Sequence, residues 1–80
     1  MKYVYIIQSL PKSDEYYTGG TDDFIERLKA HNAGKSPHTA NLLPWKPVVV
    51  ISFADSQRAI DFERYLKSGS GRAFALKHFR

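Results

Sequence analysis

The sequence predicts an α/β (α+β) fold: a small three-stranded, mainly antiparallel sheet flanked by helices, with elements in the order ββαβαα. Three segments rich in β-branched and aromatic residues alternate with segments whose apolar residues recur at helical spacing. The chain has 80 residues, 42% of them hydrophobic, which suits one core and is too short for two. We therefore expect residues 1–80 to form a single domain, stabilised by apolar packing because no cysteine is present.

The first strand is predicted over residues 2–8, which read KYVYIIQ. Both faces of this strand are apolar, which is typical of a central strand in a sheet. Residues 10–15 are turn-forming and charged, so the chain is expected to double back there. Residues 16–18 then form a short second strand that ends at Gly19-Gly20.

The first helix is predicted to begin at residues 21–23, Thr-Asp-Asp, whose side chains can accept the free N–H groups of a first turn. Its apolar residues continue at helical spacing to about residues 31–32, and Gly34 is available as a left-handed cap. Residues 34–47 contain three prolines and are predicted to form a loop. Residues 48–53, VVVISF, have the composition of a third strand.

Two helices are predicted after the third strand. The first is capped by Asp55 or Ser56 and runs to about Lys67. Residues 68–71, Ser-Gly-Ser-Gly, are expected to break it because glycine weakens a helix. A short last helix follows over about residues 72–78.

Basic residues exceed acidic ones, 12 to 8, giving a formal net charge of +4 and a pI near 9.5. This excess favours anionic partners, nucleic acid above all, although many ordinary small domains are equally basic. The motifs GxxxxGK(S/T), HExxH, GxSxG and GxGxxG are absent, so phosphate-loop NTPases, zincins, α/β-hydrolases and dinucleotide enzymes have no support. The apolar N-terminal run is too short for a signal peptide or a membrane span, so a cytoplasmic protein without a membrane partner is expected.

Four polar side chains lie where chemistry is possible. Tyr5 is in the middle of a strand, and Tyr17 on the adjacent strand can face the same side. Arg27 and His31 are four residues apart and therefore share one helix face. Ordinary explanations stay open for each: packing tyrosines, a solvated arginine, and a histidine at the negative end of its helix.

Glu63 lies in the middle of the second helix, with Lys67 four residues later on the same face. An exposed pair of this kind is common and contributes only about 0.3–0.5 kcal/mol to stability. The residues alone therefore leave a structural and a chemical interpretation of Glu63 open.

The order of these residues resembles the GIY-YIG nuclease superfamily. Val4-Tyr5-Ile6 and, ten residues later, Tyr17-Thr18-Gly19 are similar to its two tyrosine motifs, with Val4 in place of Gly and Thr18 in place of Ile. The likeness covers essentially the full chain, through further segments after the second motif: residues 21–28, 31–35 and 44–48, then Ala59, Glu63, residues 66–68 and Gly71-Arg72.

The resemblance implies a three-stranded antiparallel sheet flanked by helices, and a phosphodiesterase that cuts nucleic acid with a divalent metal ion, Mg²⁺ or Mn²⁺. Carried over by position, the expected catalytic residues are Tyr5, Tyr17, Arg27, His31 and Glu63. Glu63 matches the family's single acidic metal ligand. Mg²⁺ commonly keeps several waters, so one carboxylate together with water and the scissile phosphate can complete its shell.

Each of these side chains suits a step of phosphodiester hydrolysis. Arg27 offers a fork of donors to phosphate oxygens, and Tyr17 is expected to orient the water or a phosphate. Tyr5 is the expected base, with a pKa lowered well below about 10 by Arg27 and the metal, and His31 takes its proton or polarises it. Contacts to backbone phosphates are expected from four basic residues: Lys35, His38, Lys67 and Arg72.

DNA is expected as the substrate rather than RNA, and a homodimer would let two copies cut two strands. Many nuclease members of the superfamily carry a further polar residue, often Asn, after the metal ligand, whereas Asn32 and Asn41 both precede Glu63. At 80 residues the chain has no room for an appended DNA-binding domain, so we expect little sequence specificity of its own. Two alternatives stay open: a module that binds nucleic acid without cutting it, and a small interaction protein whose basic charge serves solubility.

Overall fold

An antiparallel sheet of three strands lies at the centre of the structure, a computed structural model that describes residues 2–80. The strands are β1 Lys2–Ser9, β2 Tyr16–Thr21 and β3 Trp45–Phe53. Their spatial order is β2-β1-β3, so the central position of β1, predicted from its two apolar faces, is confirmed.

Three helices complete the predicted order ββαβαα: α1 Phe24–Asn32, α2 Ser56–Leu66 and α3 Gly69–His78. Asp23 caps α1 and accepts a hydrogen bond from the Glu26 backbone N–H. Asp55 caps α2 through the backbone N–H groups of Gln57 and Arg58. None of the helices in residues 2–80 is both long enough and apolar enough to cross a membrane.

The two faces of β1 pack into separate cores, because successive residues of a strand point to opposite sides of its sheet. Val4 and Ile6 contribute to a core formed with apolar residues of α2 and α3. Tyr5 and Ile7 contribute to a second core with Trp45, residues of α1 and the loop before β3. The sheet thus separates an α1 layer from an α2–α3 layer, and Tyr5 lies in the α1 layer.

The bounds of two strands differ from the sequence prediction. β2 does not end at Gly19-Gly20 but runs through both glycines, which pair with Tyr5 and Val4 of β1. β3 begins at Trp45 rather than at residue 48, because its pairing with β1 extends to Ser9.

The last helix also begins earlier than predicted. α3 starts at Gly69, so the predicted break between the two helices is present but shorter than residues 68–71: Ser68 caps α3 by accepting a hydrogen bond from the Gly71 N–H. Gly71 is buried, and a Cβ at this position would collide with the backbone carbonyl oxygen of Tyr65 near the end of α2. Glycine at position 71 therefore lets α3 start close against α2.

We expect Gly71→Ala to lower the free energy of unfolding by about 1–3 kcal/mol, because the new methyl group forces α3 away from α2. Gly69→Ala is the matched control, since it adds the same methyl group to the same helix where no atom lies within 4 Å. Its expected effect is below about 1 kcal/mol. Urea denaturation followed by circular dichroism measures both variants, and equal losses of stability would contradict the prediction.

Candidate active site

The register between β1 and β2 places the two motif tyrosines on one face of the sheet. Ile7 pairs with Tyr17, and Tyr5 pairs with Gly19. Residues two apart on a strand share a face, so Tyr5 and Tyr17 both point into the α1 layer. Their ring centroids are 6.4 Å apart. The expectation that the two tyrosines face the same side is confirmed.

The Tyr5 hydroxyl lies at the centre of a buried hydrogen-bond cluster. Its oxygen is 2.8 Å from His31 Nε2 and accepts a 3.4 Å hydrogen bond from Arg27 Nε. Arg27 and His31 reach it together because they are one turn apart on α1. Tyr5 is 0% exposed, so its hydroxyl depends on these side chains rather than on water.

Burial raises the pKa of Tyr5 above its ordinary value of 10.0, and this effect outweighs the lowering by the hydrogen bond and positive charge of Arg27. The negative charge of Glu63 acts in the same direction as burial. Arg27 therefore lowers the Tyr5 pKa as expected, but it does not by itself bring that pKa below 10.0. The phenol is protonated at neutral pH.

His31 lies near the end of α1 and is 1% exposed, with both ring nitrogens in hydrogen bonds. Its Nδ1 is 2.8 Å from Thr39 Oγ1, in the loop between α1 and β3. Burial lowers the pKa of His31, and the positive charge of Arg27 lowers it further. The imidazole is therefore neutral at pH 7, which is the form that can accept a proton.

Glu63 reaches the same region from the opposite layer of the molecule. It lies on α2, and a Cβ at Gly20 would collide with Glu63 Oε1. A Cβ at Gly19 would lie 2.5 Å from the Tyr5 hydroxyl oxygen. The phenol and the carboxylate therefore approach neighbouring glycines of the edge strand β2 from its two faces, and residues without side chains leave room for both.

The Glu63 side chain is 24% exposed and forms an ion pair of 2.9 Å with Lys67, as the helical spacing predicts. Across residues 2–80, no three acidic, histidine or cysteine side chains gather into a group able to hold a metal ion by themselves. A lone, partly exposed carboxylate still fits Mg²⁺ or Mn²⁺, because Mg²⁺ is usually bound through one or two carboxylates with water and substrate phosphate. Glu63 is the residue that would hold such an ion.

The four basic residues expected to contact phosphates divide between two cavities. Lys35 and His38 line a cavity together with three of the expected catalytic residues, Tyr17 among them. Lys67 and Arg72 line a second cavity on the α2–α3 side of β2. Tyr17 contributes to the walls of both, so the two cavities meet at the edge strand.

Three residues that build this site were given no role in it by the sequence prediction. Gly19 and Gly20 have the composition of a turn, and the side chains that approach them come from other elements. Thr39 is a lone threonine in an irregular loop, eight residues from its partner His31, and such a position gives no periodic signal.

The buried Tyr5–His31 pair predicts that stability falls at both ends of the pH range. As the pH falls below about 6.5, His31 of the unfolded chain takes up a proton that the folded protein resists, so the free energy of unfolding decreases. As the pH rises above about 10, Tyr5 of the unfolded chain releases its proton before the folded protein does, and stability decreases again.

Urea denaturation between about pH 5 and pH 11 measures this dependence. His31→Gln is expected to reduce the loss of stability just below about pH 6.5. His78→Gln, at an exposed histidine of α3, is the control and is expected to keep that loss. If the wild type and His31→Gln lose the same free energy of unfolding below about pH 6.5, this loss does not come from His31.

Comparison with known proteins identifies relatives across almost the whole chain. A family model described as "GIY-YIG catalytic domain" matches residues 1–76. The UPF0213 protein CPE1444 of Clostridium perfringens is 37% identical over 68 residues, which cover 84% of this chain and 71% of that protein. The structure-specific endonuclease subunit SLX1 of Scheffersomyces stipitis is 37% identical over 67 residues, which cover 75% of this chain. The chain spans 20% of that subunit's length.

A solved structure has the same fold. The solution NMR structure of the UPF0213 protein BH0048 from Bacillus halodurans superimposes with a TM-score of 0.57 at 28% identity. The superposition covers 96% of this chain and 84% of that one. The predicted three-stranded antiparallel sheet with three helices is therefore confirmed in a relative as well as in this chain.

Proposed function

Since this chain belongs to the GIY-YIG catalytic-domain family, we propose that it hydrolyses phosphodiester bonds of nucleic acid, DNA rather than RNA, with a divalent metal ion. The match to an SLX1 structure-specific endonuclease subunit supports this class of reaction. One observation carries the proposal: the buried Tyr5 hydroxyl is held between His31 Nε2 and Arg27 Nε, and the Glu63 carboxylate lies across the adjoining strand.

Hydrolysis joins a water oxygen to phosphorus and breaks a P–O ester bond, so the attacking water needs an acceptor for its proton. The Tyr5 oxygen is placed for this role, because it can take the water proton while passing its own proton to His31. Neutral His31 is the right acceptor, and burial keeps it neutral. The attacking water is proposed to enter from the cavity lined by Tyr17, Arg27 and His31, the two hydrogen-bond partners of the phenol among them.

Arg27 is the residue proposed to bind the scissile phosphate. Its side chain donates through Nε to Tyr5, which leaves its terminal nitrogens available for phosphate oxygens. Interactions with both Tyr5 and Tyr17 raise the pKa of Arg27, so its charge is permanent. Tyr17 lines the same cavity and is proposed to orient the water or a non-bridging oxygen.

Glu63 is proposed to hold the divalent ion, Mg²⁺ or Mn²⁺. The ion would supply positive charge that offsets negative charge on the phosphate and the leaving oxygen. In the protein alone, Lys67 provides the charge that faces this carboxylate. Lys67 is therefore proposed to release Glu63 when the ion binds and to contact a phosphate of the nucleic acid instead.

The two cavities suggest a path for the nucleic-acid backbone across the β2 edge. Lys35 and His38 lie on one side of Tyr17, and Lys67 and Arg72 lie on the other. Contacts of this kind give affinity that depends on salt but carry little sequence information. We propose that these four residues hold the nucleic-acid strand while Tyr5, His31 and Arg27 act on one phosphate.

The proposal is tested by incubating the pure protein with end-labelled single-stranded, duplex and branched DNA, and with RNA. Each substrate is tested in Mg²⁺, in Mn²⁺ and in EDTA, beside an identically purified Glu63→Gln protein. Products that need the metal and are lost in the variant support the nuclease. Equal cutting by both proteins would mean that a contaminating enzyme is responsible.

A second candidate function is a module that binds nucleic acid without cutting it. Two observations favour it: Lys67 already neutralises Glu63, and burial keeps Tyr5 protonated. Its signature would be DNA affinity that falls steeply with salt, together with no product in either metal. The same incubations, with fluorescence anisotropy as a second readout, separate the two functions.

A further inference from the structure

We infer that Thr39 is a positioning residue, which fixes His31 in the tautomer protonated on Nδ1 and so leaves Nε2 free to accept the Tyr5 proton. Its consequence for the reaction rests on the proposed function. The tautomer itself is a property of the folded protein and can be measured without any substrate.

The hydrogen bonds of the Tyr5 hydroxyl determine the protonation of His31 Nε2. Arg27 Nε can only donate, so it occupies a lone pair of the Tyr5 oxygen. The hydroxyl proton must then go to an acceptor, and among residues 2–80 the remaining hydrogen-bond partner of this oxygen is His31 Nε2, at 2.8 Å. Nε2 must therefore be unprotonated, which places the single ring proton of neutral His31 on Nδ1.

The hydrogen bonds of Thr39 accommodate the same tautomer at the other ring nitrogen of His31. His31 Nδ1 is 2.8 Å from Thr39 Oγ1, and the Thr39 hydroxyl donates its own proton to the Ser36 carbonyl oxygen at 3.5 Å. With that proton directed to Ser36, a lone pair of Oγ1 is free to accept the Nδ1–H of His31. His31 Nδ1–H then donates to Thr39, whose hydroxyl donates to Ser36. The same tautomer satisfies both ring nitrogens of His31.

The opposite tautomer fails at the Tyr5 end, although the Thr39 hydroxyl can then donate to Nδ1 at 2.8 Å. Nε2–H would point at the Tyr5 oxygen, which already accepts from Arg27, and the buried phenol proton would lose its acceptor. Unpaired buried donors are rare in folded proteins. Every buried side-chain nitrogen or oxygen in residues 2–80 has a hydrogen-bond partner, and the Nδ1–H tautomer keeps that so.

Thr39 is itself held rigidly, as a positioning residue must be. It is 0% exposed, and its carbonyl oxygen accepts a 3.1 Å hydrogen bond from the indole Nε1 of Trp45. Its backbone N–H donates to the Ser36 carbonyl. The loop therefore presents Oγ1 at a fixed place, which fixes the orientation of the His31 ring toward Tyr5.

The direct test is the ¹⁵N NMR spectrum of the histidine ring in the wild-type protein at neutral pH, assigned by comparison with His31→Gln. The inference predicts that His31 Nδ1 gives the signal of a protonated nitrogen and Nε2 that of an unprotonated one. Thr39→Val removes the acceptor with little change of shape, and we expect a mixture of tautomers. Thr39→Ser keeps the hydroxyl and should restore the wild-type spectrum. Protonated Nε2 in the wild type would overturn the inference, even if Thr39→Val does not fold.

The consequence for the reaction is tested by cleavage of DNA under single-turnover conditions. Thr39→Val is expected to lower the rate on the order of 10-fold to 100-fold, with unchanged DNA affinity, and Thr39→Ser to recover most of it. Equal rates for wild type and Thr39→Val would overturn the positioning role. If the wild type cuts nothing, the proposed function fails, and the NMR spectrum still decides which tautomer Thr39 imposes.

Discussion

Glu63→Gln is expected to lower metal-dependent cleavage of DNA by on the order of 10³-fold. The substitution keeps the shape of the side chain but replaces a charged ligand with a neutral amide. A divalent ion at a reacting phosphate contributes several kcal/mol of charge stabilisation, and each ~1.4 kcal/mol changes the rate tenfold. The measurement is the single-turnover rate in Mg²⁺ with protein in excess over a labelled substrate.

Glu26→Gln is the matched control for this prediction. Glu26 also pairs with a lysine on its own helix, Lys29 at 3.5 Å, but both side chains are largely exposed. We expect this control to cut at the wild-type rate, and Glu63→Gln to bind DNA in EDTA at least as well as the wild type. Undiminished cutting by the Glu63→Gln protein would contradict this prediction and would assign the cutting to a contaminating enzyme.

Tyr5→Phe is expected to lower the rate by about 10²–10⁴-fold, the range that positioned acid–base groups contribute. The ring and its contact with Phe24, at 5.2 Å between centroids, are retained. The variant loses the oxygen that lies between Arg27 Nε and His31 Nε2. It also leaves His31 Nε2 buried without its partner, so we expect a loss of about 1–3 kcal/mol in the free energy of unfolding.

Tyr3→Phe provides the comparison for the loss of a phenol oxygen, because Tyr3 lies two residues away on β1. It is expected to leave both the cleavage rate and the thermal midpoint close to wild type. Urea denaturation checks that Tyr5→Phe is folded under the assay conditions. Wild-type activity in a folded Tyr5→Phe protein would exclude Tyr5 as the base.

The order of elements could be predicted because strands and helices of this chain have distinct apolar periodicities, and because Asp23 and Asp55 are efficient caps. The bounds of β2 and α3 could not be predicted from the sequence. In both places glycine indicates a break by local preference. In the structure these glycines are instead required by close neighbours: Tyr5 at Gly19, Glu63 at Gly20, and at Gly71 the Tyr65 carbonyl near the end of the preceding helix.

The candidate site also has features that the sequence predicts and features that it does not. Strand position pairs Tyr5 with Tyr17, helical spacing pairs Arg27 with His31, and the family resemblance joins the two pairs; the structure brings all four together. The protonation of Tyr5 could not be predicted, because it depends on how completely the fold excludes water from the phenol. The role of Thr39 depends on the path of an irregular loop, which no pattern in the sequence determines.

The position of Glu63 across the sheet from Tyr5 makes the reaction sensitive to partial unfolding. The two side chains lie in layers with separate cores, so the place of Glu63 depends on the packing of α2 and α3, whereas the tyrosine–histidine cluster depends on the α1 layer. A molecule in which α2 and α3 are open would keep its base and lose its metal ligand. On the proposed mechanism, a copy whose α2–α3 layer has not closed is therefore inactive.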